Sequence, residues 1–241
     1  MAPAGYGDSV EGIHAVAAAL AAGRVERLFV ERGRQGRLGA LLSGVDESLI
    51  SLVEDVRSMA DTSAPQGVVA RCQPISPTDL DSLASEGAAI LVLDHVEDPH
   101  NVGAAARSAR AAGLTGMVVS ARRAAPLSAA TFKAAAGALE HLPVAVVNSI
   151  PEALRRLQDR GLWVVGLESR GRRSLFDLDL LTEPVAIVVG SEGGGLAELT
   201  RKRCDVLARI PMASDTESLN ASVSAALAAF EIMRVRSDAL T

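Results

Sequence analysis

At 241 residues, with 24 Lys and Arg against 29 Asp and Glu, the chain carries a formal net charge of −5, which counts against an extended basic footprint for nucleic acid. Aromatic residues at 2% leave few stacking platforms of the kind that single-strand RNA readers use, so any RNA would be held mainly by phosphate contacts and shape. The 49% hydrophobic content supports one large or two small domains with a packed core and no disordered majority. No apolar run approaches the roughly 18 residues that a membrane span needs. The alanine-rich stretch Ala15 to Ala22 lacks the preceding Lys or Arg of a signal peptide, so a cytoplasmic location and no membrane partner are expected. Cys72 and Cys204 are too few for a disulfide framework, and His14, His95, His100 and His141 show no metal-ligand spacing; buried reduced thiols and no metal are the expectation.

In chain order, residues 9 to about 75 read as a small α/β unit. Helices are predicted from Val10 to Ala22, around Leu38 to Leu42 and from Glu47 to Met59, with strands near Leu28 to Val30 and Gly67 to Arg71. The prolines of Gln73-Pro74-Ile75-Ser76-Pro77, followed by a short polar helix Thr78 to Ser85, mark a boundary: 1–75 as one domain, 76–87 as linker and 88–241 as a second domain. From Ala88 strands and helices alternate, with strands at Ala89 to Leu93, Gly116 to Val119, Val144 to Val147, Leu162 to Leu167, Val185 to Val189 and Val206 to Ile210. That alternation predicts a mostly parallel α/β sheet covered on both faces.

Chemistry concentrates at three strand ends. After the first strand, Asp98-Pro99 is a turn signal and Asn101 reads as the N-cap of a helix Val102 to Ala112, from which Arg107 projects, in the plainer reading as one half of a surface ion pair. After Val189 comes Gly190-Ser191-Glu192-Gly193-Gly194-Gly195, a loop that no helix or strand interior would accept. It fails as a Walker A loop because Leu196-Ala197 replace Lys and Ser/Thr, and it fails as a dinucleotide fingerprint because Glu198 stands at the last glycine position. Glu192 would repel a polyphosphate, so the loop suits a ligand without one, bound through backbone groups. After the strand ending at Ile210-Pro211, Ser218-Leu219-Asn220 opens an apolar-periodic helix carrying Val223, Leu227 and Phe230. The rival reading of Ser218 is an N-cap, and that of Glu192 a dipole partner of a helix Leu196 to Arg201. The basic clusters Arg32/Arg34/Arg37, Arg122/Arg123, Arg170/Arg172/Arg173 and Arg201/Lys202/Arg203 read first as solvated surfaces.

Asp98-Pro99-His100-Asn101-Val102-Gly103 with Arg107-Ser108-Ala109, the Gly190 to Leu196 loop, and Ile210-Pro211-Met212 with Ser218-Leu219-Asn220-Ala221-Ser222-Val223 together resemble, in order and spacing, the three motifs of the SpoU (TrmH) family of RNA ribose 2′-O-methyltransferases. The resemblance covers about residues 88 to 236, and Lys133-Ala134-Ala135-Ala136-Gly137-Ala138-Leu139-Glu140 also looks like a family segment. The N-terminal Tyr6-Gly7 and Gly12-Ile13-His14-Ala15-Val16, with Gln66-Gly67-Val68-Val69-Ala70, look like the L30e-like RNA-binding domain of the ribosomal-RNA branch, although Pro65 stands where a His is usual. What the resemblance implies is a SPOUT α/β fold with a C-terminal trefoil knot, S-adenosylmethionine as cofactor, and a homodimer with the active site at the subunit boundary. It also implies Gly190, Ile210 and Leu219 as cofactor-binding residues, and Asn101, Arg107, Glu192, Ser218 and Asn220 as the catalytic set. The N-terminal domain, by the same resemblance, favours a 23S rRNA guanosine, in the P-site loop, over tRNA as substrate; the alternatives are a tRNA ribose methyltransferase, an antibiotic-resistance 23S rRNA methyltransferase, or a non-catalytic RNA-binding assembly factor.

Methyl transfer to a ribose hydroxyl must align three atoms and remove one proton, and alignment alone contributes up to about 7 to 11 kcal/mol. Removing a proton from an ordinary guanidinium at neutral pH costs roughly 9 kcal/mol. A charged Arg107 gripping an RNA phosphate, with that phosphate or a water accepting the proton, is therefore expected over a neutral Arg107 acting as base.

Overall fold

The computed structural model describes residues 5–213 and 218–238. In the N-terminal unit, β1 (Ser9–Glu11), β2 (Val25–Glu31), β3 (Ile50–Val53) and β4 (Val68–Cys72) form a sheet in the order β1-β4-β2-β3, joined by α1 (Ile13–Ala21) and the short α2 (Gly39–Leu42). Two expectations give way here. The run predicted as a helix from Val10 splits, because Gly12 turns with φ 86 and leaves Val10 paired with Ala70 in β1. The predicted helix Glu47 to Met59 is instead β3, paired in parallel with β2 and flanked by two 3-10 turns, 47–49 and 56–59. Asp46 and Asp55 cause this locally: each carboxylate accepts from the backbone N–H two residues on, at 2.9 and 2.8 Å, and so closes a tight turn that stops a continuous helix.

Beyond the short α3 (Leu80–Leu83), the second sheet follows the expected alternation: β5 (Ala89–Asp94), α4 (Pro99–Ala111), β6 (Gly116–Ser120), α5 (Ala129–Ala135), β7 (Val144–Val147), α6 (Ile150–Asp159), β8 (Trp163–Leu167), β9 (Arg173–Ser174), β10 (Val185–Gly190), α7 (Glu198–Arg203), β11 (Val206–Arg209) and α8 (Ala221–Asp238). Its seven strands run β7-β6-β5-β10-β8-β11-β9, and every neighbouring pair is parallel. The two-residue β9 at the edge was not foreseen.

Every residue of β5 and β10 is buried, as continuous apolar runs in a two-faced parallel sheet require. Leu91, Leu93, Ile187 and Val189 pack toward α4 and α8, whose facing surfaces are largely alanine (Ala105, Ala106 and Ala109; Ala225, Ala228 and Ala229). Ile90, Val92, Ala186 and Val188 pack toward α6 through Ile150, Leu154 and Leu157. Small side chains let α4 and α8 approach each other closely above β5 and β10, which brings the N-termini of both helices over the strand ends that carry the motifs. Arg236 anchors the far end of α8 by donating to the carbonyl oxygens of Gly87, Ala88, Leu181 and Glu183.

Cys72 is buried and Cys204 half-buried, and burial pushes their thiols up to about 11 and about 12. Among the described residues no group of three or more His, Cys, Asp or Glu side chains gathers as a metal site. No described helix is long and apolar enough to cross a membrane.

Candidate active site

The site forms where β5 and β10 end side by side, with Gly190 registered against Asp94. From Gly190 the chain folds back on itself: the Ser191 N–H donates to the Gly195 carbonyl at 3.1 Å and the Gly195 N–H returns to the Ser191 carbonyl at 2.9 Å. A Cβ on Gly190 would lie 2.2 Å from the Gly195 carbonyl carbon and oxygen, so only glycine allows this closure. The loop's exit is pinned by Asp94, fully buried at the end of β5, whose Oδ2 accepts from the Ala197 N–H at 2.8 Å. Its Oδ1 lies 2.6 Å from Nδ1 of His95, a residue held in the left-handed region at φ 58. Asp94 therefore couples the first motif to the glycine loop, a role the sequence reading did not assign to it.

The α4 helix starts earlier than predicted. Asp98, and not Asn101, is its N-cap, accepting from the His100 N–H at 2.9 Å, and Pro99 occupies the first helical position where its missing N–H costs nothing. Asn101 thus sits buried in the first turn with its amide free for another partner: Nδ2 donates to Glu192 Oε1 at 2.9 Å. On the other side, Asn220 and not Ser218 caps α8. Its Oδ1 accepts from the Ser222 N–H at 2.8 Å, the Val223 N–H at 3.3 Å and the Ser222 hydroxyl at 2.6 Å. With Oδ1 committed to the helix, Nδ2 must face away from it, and it donates to Asn101 Oδ1 at 3.0 Å and to Glu192 Oε1. Three motifs distant in sequence are thereby closed into one hydrogen-bonded cluster.

Beside this cluster opens a cavity of about 510 Å³, a volume within the usual range for small-molecule sites. Its walls include Gly190, Glu192, Ile210, Ser218 and Leu219, five of the predicted site residues. Asn101 and Asn220 stand at its edge through Glu192. Leu167 to Arg170, at the end of β8, also line it; the sequence reading missed them because it attached no motif to that strand. Arg107 does not line the cavity. It lies about 9 Å along α4 from Asn101 and about 120° around it, exposed, with no hydrogen bond or ion pair among the described residues. Arg170 lines the cavity, and Arg209 from β11 ties down the segment after it by donating to the Gly171 and Arg172 carbonyls at 3.0 Å each.

Residues 9–78 match the family described as RNA 2′-O ribose methyltransferase substrate binding. The chain is 40% identical to a 23S rRNA (guanosine-2′-O-)-methyltransferase RlmB from Photobacterium profundum, over 95% of this chain and 98% of that protein. It is 39% identical to the protein of the same name from Pseudomonas aeruginosa, over 95% and 97%. Its fold superposes with a TM-score of 0.80 and 27% identity on the SpoU methyltransferase AviRb from Streptomyces viridochromogenes in complex with AdoMet, covering 95% of this chain and 90% of that one. Residues 88–230, which carry the whole Asn101, Glu192 and Asn220 cluster, match the SpoU rRNA Methylase family, and the chain belongs to that family.

Proposed function

We propose that this protein transfers a methyl group from S-adenosylmethionine to the 2′-hydroxyl of a guanosine ribose in 23S rRNA, in the P-site loop. The observation that carries this reading is the cluster of Asn101, Glu192 and Asn220 closed beside a glycine-walled cavity. Full-length similarity to two proteins named as 23S rRNA guanosine methyltransferases supports the substrate, and the match of residues 9–78 to a substrate-binding family supports an RNA role for the N-terminal sheet. The domains are then 1–75 for RNA binding, 76–87 as linker and 88–241 for catalysis, in a cytoplasmic enzyme.

The cavity fits the cofactor. The bare Gly190 backbone and the half-buried Ile210 and Leu219 offer main-chain groups and apolar contact, while Glu192 in the loop disfavours a polyphosphate. When bound, S-adenosylmethionine supplies an electrophilic sulfonium methyl. Asn101 and Asn220, their amides fixed by Glu192 and by the α8 cap, orient the ribose, and Ser218 lines the cavity beside them. Arg107 grips an RNA phosphate as a charged fork, so that a phosphate oxygen or a water accepts the ribose proton.

The enzyme acts as a homodimer and its C-terminal part forms a trefoil knot. The dimer reading is supported by Val223, Leu227, Phe230 and Met233, which form an exposed apolar stripe along α8. The knot reading is supported by β11 and α8, which return the chain to β8 and to α4 after the glycine loop. Incubation with radiolabelled S-adenosylmethionine and transcripts of 23S rRNA and tRNA tests the proposal. Label on the 23S transcript alone is expected; label on tRNA alone, or on neither, overturns it.

A further inference from the structure

The Lys133 to Glu140 segment has no part in the chemistry above, yet both of its ends are tied to the N-terminal unit, Lys133 to Thr62 and Ala64 and Glu140 to Arg24. The Glu140 side chain is 1% exposed and takes a two-point contact from the Arg24 guanidinium, with Nε and Nη2 each at 2.7 Å from a carboxylate oxygen. Arg24 belongs to the N-terminal unit, just before β2. Its Nη1 donates to the Gly7 carbonyl at 2.9 Å and to the Gln73 carbonyl, so one guanidinium ties together the chain entering β1, the chain leaving β4, and the far domain. The same guanidinium lies 5.8 Å above the Phe132 ring.

Close approach is built in on both sides. A Cβ on Gly7 would overlap the Phe132 ring at 2.3 Å, and one on Gly137 would meet Ala18 of α1 at 2.6 Å. On the opposite side of the segment, a Cβ on Gly103 of α4 would lie 2.4 Å from the Thr131 carbonyl oxygen. The α5 segment is thus wedged with no slack between the N-terminal sheet and the helix that carries Asn101 and Arg107. Breaking one half of a buried ion pair leaves the other charge uncompensated, so the joint does not slide gradually.

We infer that Arg24 and Glu140 are positioning residues: they clamp the RNA-binding unit onto the α5 wedge and so fix its reach to the active-site helix α4, which selects the ribose that meets the catalytic cluster. The inference rests on the reading that the N-terminal unit binds RNA. Its consequence is specific. Releasing the clamp weakens the productive seating of a large folded RNA and leaves the catalytic cluster and its cofactor cavity intact.

The test uses the full chain as wild type, Glu140→Gln and Arg24→Lys. Steady-state methylation of a 23S rRNA transcript, S-adenosylmethionine affinity by calorimetry, and small-angle scattering of the free protein are measured for each. Glu140→Gln is expected to raise KM for the transcript about ten-fold or more, to change kcat by less than about two-fold, and to leave cofactor affinity unchanged while the scattering envelope lengthens. Arg24→Lys keeps the charge without the fork and should fall between wild type and Glu140→Gln. An unchanged KM in a variant whose envelope has lengthened overturns the inference, and so does an unchanged envelope. If Glu140→Gln does not fold, Arg24→Lys decides by the same readings. A wild-type chain inactive on 23S transcripts overturns the substrate reading instead, and the scattering comparison still decides whether the clamp exists.

Discussion

Asn220 serves α8 and the Asn101–Glu192 cluster with opposite ends of one amide: Oδ1 satisfies the first-turn N–H groups and Nδ2 reaches Glu192 and Asn101. The two uses separate by substitution. Asn220→Ser keeps a capping oxygen and should cost less than about 0.5 kcal/mol, whereas Asn220→Ala should cost about 1 kcal/mol and lower Tm by roughly 2–4 °C. Both remove the Nδ2 donor, so both should lose about 100-fold in kcat, read by label transfer beside thermal unfolding. Arg107 makes a different prediction, because it is exposed, has no hydrogen bond or ion pair among the described residues, and is proposed to hold a phosphate. Arg107→Lys should lower kcat/KM at least about ten-fold, since an ammonium cannot reproduce the two-point contact; a full-rate Lys enzyme would contradict the grip. Asn101 shows how far such residues are legible in sequence. By residue type it reads as a helix cap, and only the family resemblance implies it for the site; the folded turn shows that the Asp98-Pro99 pair starts the helix and frees the Asn101 amide.

Among the elements, the glycine loop is the one whose geometry the sequence states most directly. Gly190→Ala places a Cβ 2.2 Å from the Gly195 carbonyl, and the loop must open to admit it. The expected result is a folded enzyme destabilised by about 1–3 kcal/mol in urea titration, with S-adenosylmethionine affinity reduced at least about ten-fold by calorimetry; unaltered affinity would remove Gly190 from the cofactor wall. The central strands were equally legible, because β5 and β10 are buried on both faces and read as unbroken apolar runs. Residues 47–59 were not. Leu49, Val53 and Val56 recur at helical spacing, but pairing with β2 and the two aspartate-capped turns override that period. At β9 nothing in Arg173-Ser174 advertises a strand, and its pairing depends wholly on β11. Val223, Leu227 and Phe230 are the apolar period of the last helix. They do share a face, but in the single chain it is the alanine face of α8 that is buried and the larger side chains that are exposed.

At the scale of the whole molecule that exposed stripe carries its own prediction. Phe230→Glu should convert a dimer into a monomer by light scattering and abolish methylation with the chain still folded; an active monomer would contradict an active site shared between subunits. One contact and one proposal at this scale lie beyond sequence pattern. The Arg24 to Glu140 contact spans 116 positions, and no local period relates the two residues. A knot is likewise disfavoured by general topology, so only resemblance to a family could propose it. The boundary expected at Pro74 to Pro77 rests on composition alone, whereas the wedge shows in the sequence only as a family-like segment, Lys133 to Glu140. The most direct test of the account is mass spectrometry of nucleosides released from a 23S rRNA transcript after reaction with the wild-type chain and S-adenosylmethionine. The expected product is 2′-O-methylguanosine, formed about 100-fold more slowly when Asn220→Ser replaces the wild type. A base-methylated nucleoside, or no methylated nucleoside at all, would contradict it.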